Sequence, residues 1–418
     1  RSKGVNMPDS KEPQPPRNWP QNHPSGLDDV SRRYRREGDK AADFVVTENF
    51  EQFNQIDDVF RRSQWDDSIR TENSEQFYRS HVLPKPRKGD GFTQRDFAFR
   101  NASWTLANIF SDRGEEEGRR EGFLDPLDPY FPKAEQKIEV EDPTRIAREI
   151  KNICKFFGAH IVGITNIDKR WHYQNRYDLK NQGDRPNDLP DGLTNVIVIG
   201  HAMDYDLVQT YPSALAGASC GSGYSHEAAS VVQISQYIRN LGYEAVSSMN
   251  DTALAVPYAI KAGLGEYGRN QLVITPEFGP RVRFSKIFTD LPMALDQPKK
   301  FGITEFCNIC ERCADACPPK AIPRGQPTEF GPNKSSIRGV VKWTADCEKC
   351  FGYWARMGSD CAICMRVCPF NKDFSKWYYR LARNLAGTRL RKLILVLDSR
   401  LKLNKRVKPS GWWGKQGD

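Results

Sequence analysis

No run of about 18 or more apolar residues occurs in this 418-residue chain, so no transmembrane helix is expected. No signal peptide is expected in the chain as given either. Ser31-Arg32-Arg33-Tyr34-Arg35-Arg36 carries paired arginines, but Glu37-Gly38-Asp39-Lys40 follows where an apolar core would have to stand, and the segment reads as a solvated basic turn. Position 1 is Arg1 rather than an initiator methionine, so a processed or trimmed chain is expected. Apolar residues are sparse, at 38 % with a mean hydropathy of −0.67, yet aromatics at 11 % can still supply a core. The expectation is a soluble globular protein of two or three domains, or one large domain with additions.

Charge is unevenly spread. Of the formal +9, ten Lys or Arg against two Asp between Leu381 and Asp418 supply +8. Such a tail suits an anionic membrane surface or an acidic partner, and no nucleic-acid reading motif accompanies it.

Cysteine is concentrated near one end, with nine of eleven lying between Cys307 and Cys368. Cys307, Cys310, Cys313 and Cys317-Pro318 have the spacing C-x2-C-x2-C-x3-C-P, the bacterial ferredoxin signature for 4Fe-4S clusters. Cys350, Cys361, Cys364 and Cys368-Pro369 form a second group. In two-cluster ferredoxins the fourth cysteine of a run ligates the other cluster. One set is therefore Cys307, Cys310, Cys313 and Cys368, and the other Cys350, Cys361, Cys364 and Cys317. Zinc sites pair C-x2-C units across a longer loop, and disulfides two residues apart would be strained. Two cubanes describe an electron relay and do not by themselves name a catalyst.

The segment up to about residue 45 is proline-rich and should lie extended over the rest. Aromatics then recur from Phe44 to Phe131, and Arg95 to Phe110 reads as a helix with Phe99, Trp104, Ala107 and Phe110 on one face. These rings are read as packing more readily than as a substrate pocket. A clearer unit begins with Asp142 as N-cap and Pro143 at the first helical position, with Ile146, Ile150, Ile153 and Phe157 on one face and Gly158 as the stop. Ile161 to Ile164 and Val196 to Ile199 read as buried strands, Ala228 to Leu241 as a second helix, and Gln271 to Thr275 and Val282 to Phe288 as further strands. The class is α/β or α+β. Leu390 to Leu403 is a basic amphipathic helix or strand candidate.

Four runs carry a resemblance: Asn250 to Pro257, Ala262-Gly263-Leu264-Gly265-Glu266-Tyr267-Gly268-Arg269-Asn270, Ile274 to Arg283, and Phe301 to Cys307. From about Asp142 to Cys368 the chain resembles the corrinoid iron-sulfur reductive dehalogenases of the respiratory type, while the first 140 residues and the tail match only in general character. The resemblance implies an α+β fold in which a nitroreductase-like cobamide-binding domain (142–300) precedes a bacterial ferredoxin-like two-cluster insert (301–380). The aromatic, proline-rich segment (1–141) and a basic tail (381–418) flank them. It implies Tyr224 as proton donor, Asn250 near the substrate and Arg283 beside the tyrosine. A phenol with an ordinary pKa of about 10 serves as an acid if its phenolate is stabilised afterwards, which a guanidinium does. Tyr224 is expected just before the helix at Ala228, whose N-terminal amides would add to this.

Gly263, Gly265 and Gly268 match a dinucleotide fingerprint, but a helix ends there instead of opening, so the bare backbone around Gly263, Leu264 and Gly265 is expected to approach the cobamide. No Asp-x-His-x-x-G occurs in the sequence, so the cobamide is expected base-off. Cys347 is left over beside Cys350, Cys154 and Cys220 read as buried structural thiols, and His172, His201 and His226 as surface or core residues. Trp354 fits either a substrate channel or packing over a cluster. The expected partners are a small organohalide, a membrane anchor protein and electrons from the quinol pool, with nucleic acid not expected and a homodimer admitted. The expected location is the outer face of the cytoplasmic membrane after twin-arginine export. Two alternatives stand beside this: a corrinoid enzyme resembling epoxyqueuosine reductase and acting on tRNA, and a ferredoxin-like electron carrier. The identity of the organohalide is not legible in the sequence.

Overall fold

Asp142 opens the central unit as predicted. Its side chain accepts from Thr144 N at 2.8 Å, and Pro143 begins a helix that runs to Phe156, with Ile146, Ile150 and Cys154 buried and Gly158 at φ +97° ending the turn. The computed structural model describes residues 39–116, 132–178, 181, 183–187, 189–401 and 405–415. The proline-rich stretch before residue 39, with Ser31 to Arg36, lies outside the described residues.

The sheet of the central unit has four antiparallel strands: β1 (Ile161–Asn166), β2 (Asn195–Ala202), β3 (Ala245–Ser248) and β4 (Val282–Thr289), in the order β1-β2-β4-β3. Ile161 pairs with Gly200, Val198 with Lys286 and Ala245 with Thr289. Val196 to Ile199 form an unbroken apolar run because both faces of β2 are covered. Ile197 and Ile199 pack with Ile146, Ile150, Val231, Ile234 and Ile238, while Val196 and Val198 pack with Trp171, Tyr258 and Ala259. The all-antiparallel pairing makes the class α+β.

The helices that matter for the site are α1 (Val59–Trp65), α2 (Glu72–Arg79), α3 (Gln94–Glu116), α4 (Pro143–Phe156), α5 (Ala214–Asn240), α6 (Ala255–Lys261), α7 (Ile303–Cys307), α8 (Cys347–Met357), α9 (Trp377–Ala386) and α10 (Arg391–Arg400). Helix α5 corrects the expected start at Ala228: it begins at Ala214, where Ser213 accepts from Ala216 N at 3.0 Å, so Tyr224 lies inside a 27-residue helix. Gly217, Gly221 and Gly223 suggest a break, yet here they are points of close approach. A Cβ on Gly221 would stand 2.7 Å from Cγ of Trp104, and one on Gly223 would stand 2.9 Å from Cγ of Arg283. The absence of side chains lets α3 and β4 come up to α5 from two sides.

The described part of the segment before residue 142 packs on the rest. Phe44 and Phe50 set their edges on Trp171 at 5.2 and 5.8 Å, and Phe60 and Phe77 meet Phe351 of α8 at 5.3 and 5.7 Å. The basic tail also docks in its described part. The boundary expected at 380/381 falls inside α9, and Trp412 stacks on Phe99 of α3 at 5.6 Å. In α10, Asp398 is buried against Lys372 at 2.9 Å and against Arg312, while Leu393, Val396 and Leu397 remain exposed. None of the described helices is long and apolar enough to cross a membrane.

The α3–α5 contact yields a prediction. Gly221→Ala should lower the unfolding free energy by about 1–3 kcal/mol, the cost of overpacking a tight interface. Thermal or urea unfolding of the variant against the parent measures it, and an unchanged midpoint would show that Trp104 has room to move.

Candidate active site

Tyr224, Asn250 and Arg283 come from separate elements and meet. Tyr224, half-buried in the middle of α5, stacks its ring on Trp104 of α3 with centroids 5.1 Å apart. Arg283, the second residue of β4, places its guanidinium carbon 5.2 Å from the Tyr224 ring centroid. Asn250, two residues past β3, donates from Nδ2 to the Tyr224 hydroxyl oxygen at 3.1 Å. The helix-end amides expected to assist Tyr224 are out of reach, because α5 starts ten residues earlier.

Burial dominates the electrostatics here. It pushes the Tyr224 phenol up to about 12, against the lowering effects of Arg283 and the Asn250 hydrogen bond. The phenol therefore keeps its proton at neutral pH. Burial alone would lower Arg283, but Cys220, Tyr224 and Glu227 around it raise it, so it stays a cation. Its Nε has no hydrogen-bond partner. Glu227, one helical turn beyond Tyr224 and 1 % exposed, has its carboxyl pushed up to about 8 by burial, against Arg283 and Lys286. Lys286 is fully buried, donates to the Met249 carbonyl, and is lowered by burial to about 8.

Asn250 also lines a cavity of about 510 Å³. Its walls include Phe44, Phe53, Phe60, Trp171, Tyr173, Tyr267 and Trp343, so part of the N-terminal aromatic series forms a pocket as well as packing. The size and the mostly apolar lining, with polar groups at few points, are those of a ligand site. Gly263, Leu264 and Gly265 are not among the lining residues. The sides that a Cβ would occupy on Gly263 and Gly265 face the carbonyls of Gln297 and Ile274, and Leu264 is packed in the core. Their bareness is thus accounted for by contacts within the chain. His172, His201 and His226 do not line the cavity either: His172 bonds Tyr258 at 2.7 Å, His201 bonds Ser230 at 3.1 Å, and His226 is exposed.

The cysteines gather into two groups beside this cavity. Cys307 at the end of α7, Cys310, Cys313 and Cys368 line one small cavity together. Cys317 packs with Cys350 of α8 and Cys364, and Cys361 acts electrostatically on Cys350 and Cys364. Cys317 and Cys368 are thereby each brought to the cysteines of the other run. Among the described residues no group of His, Cys, Asp and Glu stands close enough to share a single metal ion. A cubane, whose four thiolates bind different irons, asks for a wider cage. A buried donor supports a sulfur-rich occupant in the first cage: Asn270 lines it, and Asn270 Nδ2 has no partner. Cys347 faces elsewhere, lining the large cavity with its thiol 3.8 Å from Gln271 Nε2. Cys154 and Cys220 are buried, as expected. Trp354 packs on Phe60 and Phe77 at 5.8 and 6.3 Å.

Sequence reasoning missed Trp104, Glu227 and Asn270 as members of these sites. Glu227 was within reach, since a helix drawn through Tyr224 puts residue i+3 on the same side. Trp104 and Asn270 are brought in by tertiary contacts that no local pattern encodes.

The fold and the two sites define a class: an α+β protein with a half-buried tyrosine hydrogen-bonded to a residue of a cavity wall, and eight cysteines in two groups. Residues 186–293 match the family model described as reductive dehalogenase subunit. Tetrachloroethene reductive dehalogenases of Dehalobacter restrictus and Sulfurospirillum multivorans are 37 % and 35 % identical over 291 and 259 residues, covering 59 % and 56 % of this chain and 52 % of each relative. An epoxyqueuosine reductase of Lactococcus garvieae is 30 % identical over 140 residues, 32 % of this chain and 37 % of that protein. Among solved structures, a reductive dehalogenase reported with a mechanism for B12-dependent dehalogenation superposes with a TM-score of 0.67 at 22 % identity, covering 92 % of this chain and 52 % of that one. The catabolic reductive dehalogenase NpRdhA, in complex with 3-bromo-4-hydroxybenzoic acid, gives 0.67 at 24 % identity, covering 85 % and 47 %. Over these parts the chain is similar to reductive dehalogenases. It spans about half the length of the curated relatives it matches.

Glu227 supplies a pH test. The folded carboxyl titrates near 8 and the unfolded one near 4.5, so the fold holds an extra proton between those values and stability falls as the pH rises through that window. Glu227→Gln should remove this slope. Melting temperatures from about pH 5 to about pH 9 should then fall more for the parent than for the variant, and parallel curves would show that Glu227 is ionised in the fold.

Proposed function

We propose that the protein is the catalytic part of a reductive dehalogenase, which exchanges halogen for hydrogen on a small organohalide: R–X + 2e⁻ + H⁺ → R–H + X⁻. The observation that carries this reading is the meeting of Tyr224 and Arg283 with Asn250, which itself lines the 510 Å³ cavity, whose wall also includes Trp343, packed with Cys307, Cys310 and Cys368. In its finer form, a nitroreductase-like unit holds a base-off cobamide in that cavity, and a ferredoxin-like insert holds two 4Fe-4S clusters on the two cysteine sets. When bound, these groups supply the reducing centre and the relay that feeds it.

The chain's own side chains supply position, dryness and the proton. Trp104 orients the Tyr224 ring by stacking on it. Tyr224 holds its proton at the hydroxyl until a carbon losing halide develops a strongly basic site. Asn250 Nδ2 and the Arg283 cation then favour the phenolate left behind, since hydrogen bonds and attractions to a full negative charge are the stronger ones. The aromatic cavity walls keep water from competing as the proton source.

The substrate class is drawn from the relatives named for tetrachloroethene, which makes chlorinated alkenes the first compounds to try. The exposed apolar residues of α9 and α10, Trp377, Leu381, Leu393 and Leu397, lie among Arg380, Arg391 and Lys392 and support docking to a membrane anchor protein that passes electrons from the quinol pool. Twin-arginine export to the outer face of the cytoplasmic membrane completes this reading, with a homodimer compatible. The epoxyqueuosine reductase relative supports a second reading, action on tRNA. Against it, a tyrosine stands where that family carries an acidic proton donor.

Anaerobically purified protein should release corrinoid on cyanide extraction, contain about eight iron atoms, and liberate chloride from tetrachloroethene with reduced viologen. Absence of corrinoid would end both enzyme readings, and corrinoid without halide release from any chlorinated or brominated compound would favour the tRNA reading. Tyr224→Phe should retain corrinoid and iron but lose turnover by about 100-fold or more, the usual scale for removing a general acid. Full turnover in that variant would remove Tyr224 as the donor.

A further inference from the structure

The segment from Glu266 to Asn270 ties the large cavity to the first cysteine cage. Glu266 and Tyr267 both line the cavity. Glu266 accepts from Ile303 N at 3.1 Å and from Phe301 N at the start of α7, the helix that ends in Cys307. Tyr267 donates to the Trp343 carbonyl at 2.8 Å. Arg269, 1 % exposed, donates to the carbonyls of Cys307 at 2.9 Å, Cys310 at 3.1 Å, Pro323 at 3.1 Å and Gly325 at 2.9 Å, and lies over Trp343 with Glu311 3.6 Å away.

Asn270 is the end of this segment. It is 7 % exposed and lines the cage of Cys307, Cys310, Cys313 and Cys368. Its Oδ1 accepts from Leu272 N at 3.4 Å, which fixes the direction of the amide and leaves Nδ2 as a buried donor without a partner. Buried donors are normally satisfied, so an unpaired one in a cage of four thiols marks where an acceptor belongs.

We propose that Asn270 tunes the cluster held by Cys307, Cys310, Cys313 and Cys368: its side-chain amide donates a hydrogen bond to a cluster sulfur and, with the buried cation of Arg269 behind the same loop, raises that cluster's reduction potential. The inference rests on the cluster reading given above. An added electron makes the sulfurs more negative, so a hydrogen bond to them strengthens on reduction and favours the reduced state. A buried guanidinium, which cannot lose its proton, acts in the same direction.

The test is a redox titration of the anaerobically purified holoprotein, followed by electron paramagnetic resonance, with iron content measured alongside. Asn270→Ala should keep its iron and shift one cluster's reduction equilibrium at least tenfold toward the oxidised form, about 59 mV for a one-electron couple, leaving the other cluster where it was. Asn270→Asp, which replaces the donor by an anion, should shift it further. Asn270→Ser, which keeps a donor, should fall between Ala and the parent. Unchanged potentials in Ala and Asp, equal movement of both clusters, or loss of one cluster's iron in all three variants would overturn the proposal. A parent without iron would overturn the cluster reading together with it. A parent that holds both clusters but dehalogenates nothing would remove only the activity reading, and the shift would still be expected.

Discussion

The close approach of α3 and β4 to the small-residue faces of α5 is the constraint on which the candidate site depends. Gly221 admits the Trp104 indole and Gly223 admits the Arg283 stem, so Tyr224 is held between an aromatic plate on one side and a cation on the other. Side chains of ordinary size at either glycine would push apart the elements that carry the two partners. Ser225 reinforces the contact by donating to the Ser103 carbonyl at 2.7 Å and accepting from Ala107 N at 3.2 Å. Orientation of the phenol is thus a property of helix packing and not of a loop.

A second dependence runs from the cavity to the cysteines. The loop from Gly265 to Asn270 returns from α6, contributes Glu266 and Tyr267 to the cavity wall, and then grips the turn of Cys307 and Cys310 through Arg269. Three hydrogen bonds from one buried guanidinium to the carbonyls of Cys307 and Cys310 fix that turn, and two more to those of Pro323 and Gly325 tie it to the chain beyond. On the other side of the cavity, Cys347 and Cys350 share the first turn of α8, so the second cysteine set is also carried by an element that touches the wall.

Much of this was legible in the sequence where local chemistry decides the outcome. Asp142-Pro143 and Gly158 bound a helix whatever surrounds it, and the apolar run Val196 to Ile199 could only be a buried strand. Cysteine spacing pointed to two interleaved sets because a turn of C-x2-C-x2-C can face only one way. The helix through Tyr224 was not legible, since Gly217, Gly221 and Gly223 are poor helix formers and only the partners that fill the space beside them repay the local cost. A bare backbone, as at the glycines near Gly263, likewise does not say what approaches it. Here it is the chain itself, at Gln297 and Ile274. Asn270 and Glu227 acquire their roles from burial, which one sequence does not display.

Burial also explains why a phenol suits this position. A carboxylic acid with an ordinary pKa would be ionised at neutral pH unless the site raised it far, as burial does for Glu227 one turn away, pushed up to about 8. Tyr224 in the same surroundings is pushed up to about 12, so it stays protonated through any physiological swing of pH. In the proposed reaction, a proton held that firmly would be surrendered only to a much stronger base, such as a carbon expelling halide. Arg283 and Asn250 cannot lower the resting phenol into the neutral range against the burial that opposes them. Their attraction would grow once the oxygen is charged, so in the proposed reaction they would act after the proton has left. In the proposed reaction the site would thereby protect the proton at rest and stabilise its loss.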